Sequence, residues 1–395
     1  MEPPSRVRQR IHYHALLGLL VAWIVLSLGC STPLLWQSQP KANEIRIGLI
    51  ASLTGEAASI GRSTLTGAEL AVKEVNQAGG LEVGDRTYTI LLKTEDDQDE
   101  VDVAVNAARK LIYQENVVAI VGPQFSRNAI PVATFVENAQ IPMISPRSTN
   151  PETTAGKHYV FRATFTDPFQ GQVMANFARN DLQAETAAVL YDIASAYNRG
   201  IADVFKQVFE AAGGQVVAFE SYTTGEKDFR EQLATIQASN PDVLFLPNYN
   251  YELPLQIAQV RQLGIKATLL GADGWGPLPA IDRLSLEGAF YSDQYAPDTS
   301  NPETQAFIKR YRQTYSQDPD ANTAATYDTL YLLFQAIQNQ GRYDSESIRQ
   351  GIAELGQFTG VTGTIEYQET GDPIRSVVIL QIKNGQPAFY KQVDP

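Results

Sequence analysis

The chain has 395 residues, of which 44% are hydrophobic and 19% charged, with a formal net charge of -13. That length exceeds what one hydrophobic core usually serves, so two or three domains are expected, in a packed globular chain rather than a disordered one. The acidic balance, with no basic run outside the N-terminus, excludes a nucleic-acid backbone as partner, because phosphate binding needs clustered Lys and Arg.

Arg6, Arg8 and Arg10 precede an apolar stretch from Ala15 to Gly29. It is too short to span a bilayer comfortably and has the layout of an export signal. Residues 1–29 are therefore predicted to be a signal peptide. The stretch ends Leu26-Ser27-Leu28-Gly29-Cys30, and Cys30 is the only cysteine of the chain. A lone exported thiol behind a small residue resembles a bacterial lipobox, with Ser27 where leucine is usual. It predicts acylation of Cys30 and a lipid anchor at a membrane surface. Residues 30–43, with Pro, Ser and Gln and no periodicity, read as a tether.

From Glu44 the pattern becomes regular. An apolar run over residues 45–50 predicts a strand, and Ala68, Ala71, Val72 and Val75 at helical spacing predict a helix over 66–76. Strand 88–92, helix 101–113, strand 117–121, helix 130–137 and strand 141–144 follow. The 117–121 run is apolar on both faces, as in parallel sheets covered by helices on both sides. The alternation then repeats: strands at 187–191, 216–222, 243–246 and 268–271 enclose helices at 198–212, 228–238 and 252–263. A helical block over 303–340 and closing strands at 363–367 and 377–382 are too small for a third core, so they are expected to complete the two lobes already begun. The fold class is α/β, with two doubly wound parallel-sheet lobes.

The loop Gly122-Pro123-Gln124-Phe125-Ser126 follows a buried strand and opens a helix, with Pro131 expected in an early turn that tolerates it. A helix N-terminus with a hydroxyl suits a small anion. The next strand ends in the hydroxyl-rich Ser145-Pro146-Arg147-Ser148-Thr149. In open α/β sheets ligands gather outside such strand ends. A cationic counterpart needs a carboxylate among aromatics, and Tyr249 and Asp273 follow two strand ends of the second half. On spacing alone each hydroxyl reads equally as a helix cap, and Asp273 as a turn residue. The acidic run 95–100 lacks metal-ligand spacing and is expected to cap the following helix; no metal is expected. Downstream of the signal the chain has one histidine, His158, and no hydrolase elbow, zinc-helix or phosphate-loop motif. It is therefore expected not to be an enzyme and to need no cofactor.

The segments IRIGLIASLTGEAASIG, TGAELAVKEVNQAGGL, AIVGPQFS, IPMISPRSTNPE and FTGVTGTIEY together resemble the branched-chain amino-acid branch of the type I periplasmic binding proteins of ABC importers. The resemblance covers Ile45 to about Tyr390. It implies lobes joined by a three-crossover hinge: 44–166 with 295–372 returning to the first, and 167–294 with 373–395 returning to the second. It further implies that Ser126 and Thr149 hold a ligand carboxylate and that Asp273 holds its ammonium, in place of the family's usual Glu. Tyr197 and Tyr249 then close from the second lobe, Arg147 falls where the family uses a backbone carbonyl to accept from the ligand ammonium, and Ser148 beside it is also expected at the ligand. Two departures bear on specificity. Ile60 stands where the family has an aromatic, and Arg147 replaces a small residue. An inward Arg147 would meet an acidic or polar ligand side chain, whereas an outward one would not act on selectivity. The implied partners are an amino-acid-like ligand and a membrane permease with its ATPase, the protein itself being exported and monomeric. A sensor feeding a membrane receptor, a binder of an amide, urea or aromatic acid, and a hydrolase built on Ser126 or an acidic pair are the rival readings.

Overall fold

The computed structural model describes residues 43–278, 283–368 and 370–395. The predicted signal peptide, Cys30 and the tether up to residue 42 lie outside the described residues.

The first sheet is built around β1 (Glu44–Ala51), buried at every position after its first. β1 pairs in parallel with β3 (Arg86–Asp96) on one side and β4 (Ala119–Val121) on the other. β5 (Met143–Ser145) and β6 (Val160–Arg162) extend the sheet beyond β4, and the short β2 (Leu81–Val83) lies antiparallel at the β3 edge. One face packs on α1 (Ala58–Gln77) through Ile45, Ile47 and Leu49. The other, with Ile50 and Ile120, packs on α2 (Val101–Tyr113) and α3 (Ser126–Ala139). Burial on both faces explains why these strands read as unalternating apolar runs.

The second sheet has the order β16-β15-β11-β10-β9-β7-β8. Its parallel part comprises β7 (Thr186–Asp192), β8 (Gln215–Tyr222), β9 (Val243–Leu246), β10 (Thr268–Gly271) and β11 (Phe290–Asp293). α4 (Asp167–Asn180) and α5 (Ala196–Ala211) cover one face, and α6 (Arg230–Ser239) and α7 (Leu253–Gln262) the other. The chain then returns to the first core through α8 (Pro302–Tyr315), α9 (Ala321–Gln340) and α10 (Ser345–Ala353), with a small antiparallel sheet of β12 (Gln357–Gly360), β13 (Gly363–Tyr367) and β14 (Pro373–Ile374). It crosses once more to add β15 (Val377–Lys383) and β16 (Gln386–Val393), both antiparallel, to the second sheet. The chain thus makes three passes, near residues 163–166, 294–301 and 375–376.

One side chain joins those passes. Buried Arg375 donates through Nη2 to Thr362 O (2.9 Å) and Gln294 O (3.4 Å), and through Nη1 to Ala163 O. Burial lowers its pKa to about 10, against the raising influence of Asp328.

The element order follows the predicted one, with informative differences. α1 begins eight residues before the expected Thr66, because its opening turns are held by close approach rather than by an apolar stripe: a Cβ at Gly61 would lie 1.9 Å from Ser52 O. α3 begins at Ser126, so Pro131 lies inside the helix, beyond the early turn where it was expected. The 303–340 block is two helices, α8 and α9, separated at Ser316–Asp320. Nor does the acidic run cap α2 through side chains, since the N-cap Glu100 makes no such bond. Asp97 instead accepts from Ser52 Oγ (2.6 Å) and Asn128 Nδ2 (3.2 Å), tying the loops after β1 and β4 together.

Candidate functional site

The loops leaving the carboxyl ends of β1, β4 and β5 meet those leaving β7, β9 and β10 around a small cavity. Six of the eight expected ligand-site residues line it: Ile60, Ser126, Arg147, Tyr197, Tyr249 and Asp273. They follow the ends of six different strands and are spread along the chain from Ile60 to Asp273, brought together because these parallel strands of both sheets point their carboxyl ends at the same space.

On the first-sheet side, Ser126 is the first residue of α3, so its hydroxyl stands where a helix leaves backbone N–H groups unpaired. Ser126 Oγ accepts from Ser148 Oγ (3.0 Å) and from Asn150 N–H (3.4 Å). Ser148 and Thr149 are not on the cavity wall; Ser148 stands behind Ser126 and bonds it. Their loop is fastened by the fully buried Arg162, which donates to Ser148 O (2.6 Å) and Asn150 O (2.8 Å) and pairs with Asp372 (2.6 Å). Thr149 faces Asp167, whose N–H donates to Thr149 O (2.8 Å). Burial pushes the Asp167 carboxyl up to about 8, against the lowering pull of the Thr149 hydroxyl, so it is largely protonated at neutral pH.

On the second-sheet side, Asp273 is 3% exposed and follows β10. Tyr197 Oη donates to Asp273 Oδ1 (2.7 Å) and accepts from Gly274 N–H (2.9 Å). Gly274 is required here by space: a Cβ would meet Tyr197 Oη at 2.8 Å. Burial, Asp273 and Tyr249 together push the Tyr197 phenol well above its ordinary value, so it stays a donor. Tyr197 stacks on Tyr249 (4.8 Å between ring centres), and Tyr249 receives the edge of Phe125 from the first-sheet side (4.9 Å).

Arg147 points inward. Its Nη1 donates to Asp293 Oδ1 (2.6 Å) and its Nη2 to Asp273 O (2.7 Å), with Asp273 Oδ2 3.4 Å away. Burial alone would weaken the Arg147 charge, but Asp293 and Asp273 outweigh it and raise the pKa. Burial raises Asp293 to about 6 even beside Arg147, which lowers it. The guanidinium is therefore already matched, and an acidic ligand side chain would find no free cation there. One positive group faces two carboxylates, leaving an excess of one negative charge at the wall.

Asp293, Gln124 and Asn322 were not singled out from the sequence. Gln124 sits inside the loop that was, two residues before Ser126, and its position was the available signal. Asp293, at the end of β11, and Asn322, in α9 beyond the second pass, lie in segments with no motif.

Residues 44–387 match the family model described as periplasmic binding protein. The chain belongs to this family. Among curated relatives, a Leu/Ile/Val-binding protein homologue of Brucella melitensis is 30% identical over 83% of this chain and 88% of its own. Among solved structures, a leucine-binding protein of Thermotoga maritima is 33% identical, with a TM-score of 0.81 over 89% of this chain and 99% of its own. A branched-chain amino acid transporter substrate-binding protein of Streptococcus pneumoniae, solved with isoleucine, is 27% identical with a TM-score of 0.82, covering 89% of this chain and 100% of its own. These are binding proteins rather than enzymes, in keeping with the reading that this chain is not an enzyme. Membership of a periplasmic family also places the protein outside the cytoplasm, the location expected from the sequence.

The raised Asp167 carboxyl makes this binding protein's stability depend on pH in a definite direction. Its unfolded counterpart titrates near 3.8 and the folded one near 8, so the stabilising contribution of the neutral form is complete in acid and is lost as pH rises through 8. Urea midpoints are expected to fall between about pH 5 and about pH 8, and Asp167→Asn is expected to make that fall shallower over this whole range. An unchanged slope in the variant would show that Asp167 is not the group responsible.

Proposed function

We propose that this periplasmic binding protein captures a neutral α-amino acid in the cavity between its two sheets and presents it to an ABC permease and ATPase in the membrane. The observation that carries this is the opposition of two poles across one small cavity. Ser126, at a helix N-terminus and backed by the Arg162-fastened loop, suits a carboxylate. Asp273, with Tyr197 beside it and one negative charge in excess, suits an ammonium. A zwitterion satisfies both. An aromatic acid would leave the excess charge unmatched, and so would an amide or urea.

In this reading the two sheets belong to lobes spanning 44–166 with 295–372, and 167–294 with 373–395. The carboxylate docks first on Ser126 and the 147–149 loop. Closure then brings Asp273, Tyr197 and Tyr249 onto the ammonium and side chain and expels water, so that each buried charge is hydrogen-bonded. The two-sided contact Phe125–Tyr249 supports this, because it joins the sheets and forms only when they approach. Acylated Cys30 keeps the monomer beside its permease. The test is to recover ligand from purified protein, identify it by mass spectrometry, and titrate the ligand-free protein calorimetrically with the common amino acids and with benzoate. A retained compound lacking an amine, or tight binding of benzoate alone, would refute the proposal.

A further inference from the structure

We infer that the side-chain end of this cavity accepts a neutral hydrogen-bond donor, so that the preferred ligand is a hydroxy or carboxamide amino acid rather than a branched hydrocarbon one. The inference rests on the α-amino-acid reading above and concerns a different part of the cavity.

Gln124 lines the cavity and is 6% exposed. Its Nε2 donates to Thr64 Oγ1 and to Thr326 Oγ1 (3.5 Å). Each threonine hydroxyl has a single hydrogen, and both are already committed: Thr64 donates to Ile60 O (2.9 Å) and Thr326 to Asn322 O (2.8 Å). Both oxygens can therefore only accept, which fixes the amide with its nitrogen toward the helices α1 and α9. The other end of the amide, Oε1, is then buried with no hydrogen-bond partner. A second carboxamide shares this wall, Asn322, whose Nδ2 donates to Gly276 O (3.1 Å). Ile60 provides the apolar part.

A buried acceptor left unpaired costs about 1–3 kcal/mol. A branched aliphatic side chain filling this end would exclude water and leave Gln124 Oε1 in that condition. A hydroxyl or carboxamide N–H would satisfy it, while its methyl or methylene groups rest on Ile60. A cationic side chain would satisfy Oε1 too, but the ligand's own ammonium already uses the one excess negative charge.

The experiment uses two nearly isosteric pairs, threonine against valine and asparagine against leucine, titrated calorimetrically into the ligand-free protein. The polar member of at least one pair is expected to bind about tenfold more tightly. In Gln124→Met, checked for folding by its thermal transition, that preference is expected to shrink to about threefold or less. If the apolar member binds as tightly or more tightly in both pairs, the inference falls while the α-amino-acid reading stands. If no amino acid of the common set binds, the reading beneath it fails instead.

Discussion

Asp273→Asn is expected to bind an α-amino acid about a hundredfold more weakly than the parent chain, with little change in folding, because a hydrogen bond to a charged group contributes about 1.5–3 kcal/mol. The substitution is chosen to separate charge from shape. Asparagine keeps an oxygen for Tyr197 Oη, now 2.7 Å from Asp273 Oδ1, and keeps the backbone carbonyl that Arg147 bonds at 2.7 Å. What it removes is the excess negative charge at the wall, since Arg147 and Asp293 then balance one another. The ligand ammonium enters a neutral site and loses its counter-ion. Calorimetric titration with the ligand found on the purified protein measures the effect. Affinity within about threefold of the parent would mean that Asp273 is a structural partner of Arg147 and not the ammonium site.

Arg147→Met is expected to be the most destabilising single substitution in the cavity. It leaves the carboxylates of Asp273 and Asp293 buried and facing each other, and removal of one partner from a buried pair costs about 3–5 kcal/mol. The loss has a pH signature. Asp293 already titrates near 6 because burial outweighs Arg147, and without the guanidinium its pKa rises further. The destabilisation is therefore relieved in acid, where Asp293 is protonated, and grows as pH rises through and above 6. Urea unfolding at about pH 5 and about pH 8 should show the smaller deficit at the lower pH. Adding Asp293→Asn should recover part of it, since the pair is directly coupled through the 2.6 Å contact. A variant as stable as the parent at the higher pH would show that Arg147 is not holding these carboxylates apart.

The two halves of the fold were legible because each repeats strands buried on both faces and helices with one apolar face; Val243–Leu246 and Thr268–Gly271 were readable to the residue. Local loops were legible too, and Ser126, Tyr249 and Asp273 could be picked out as residues following strand ends. What was not legible depends on partners far along the chain. The inward direction of Arg147 is decided by Asp293, 146 residues away. The orientation of Gln124 is decided by hydroxyls on two helices, the farther 202 residues away. α1 was read short for a related reason: across residues 58–64 Ile60 is the one large apolar residue, and Gly61 beside it packs against backbone. Thr149 carried the right chemistry but stands one layer behind the wall, a distinction of a few ångströms that spacing does not encode.

Arg375 has a mechanical consequence. A single rigid guanidinium holds carbonyls from the first and second passes and is itself part of the third, with Nη2 reaching Thr362 O at 2.9 Å and Gln294 O at 3.4 Å. Three ribbons clipped at a common point resist shearing past one another. In the closure proposed above, the two sheets would then swing along one arc and bring Ser126 and Asp273 to the same mutual alignment each time.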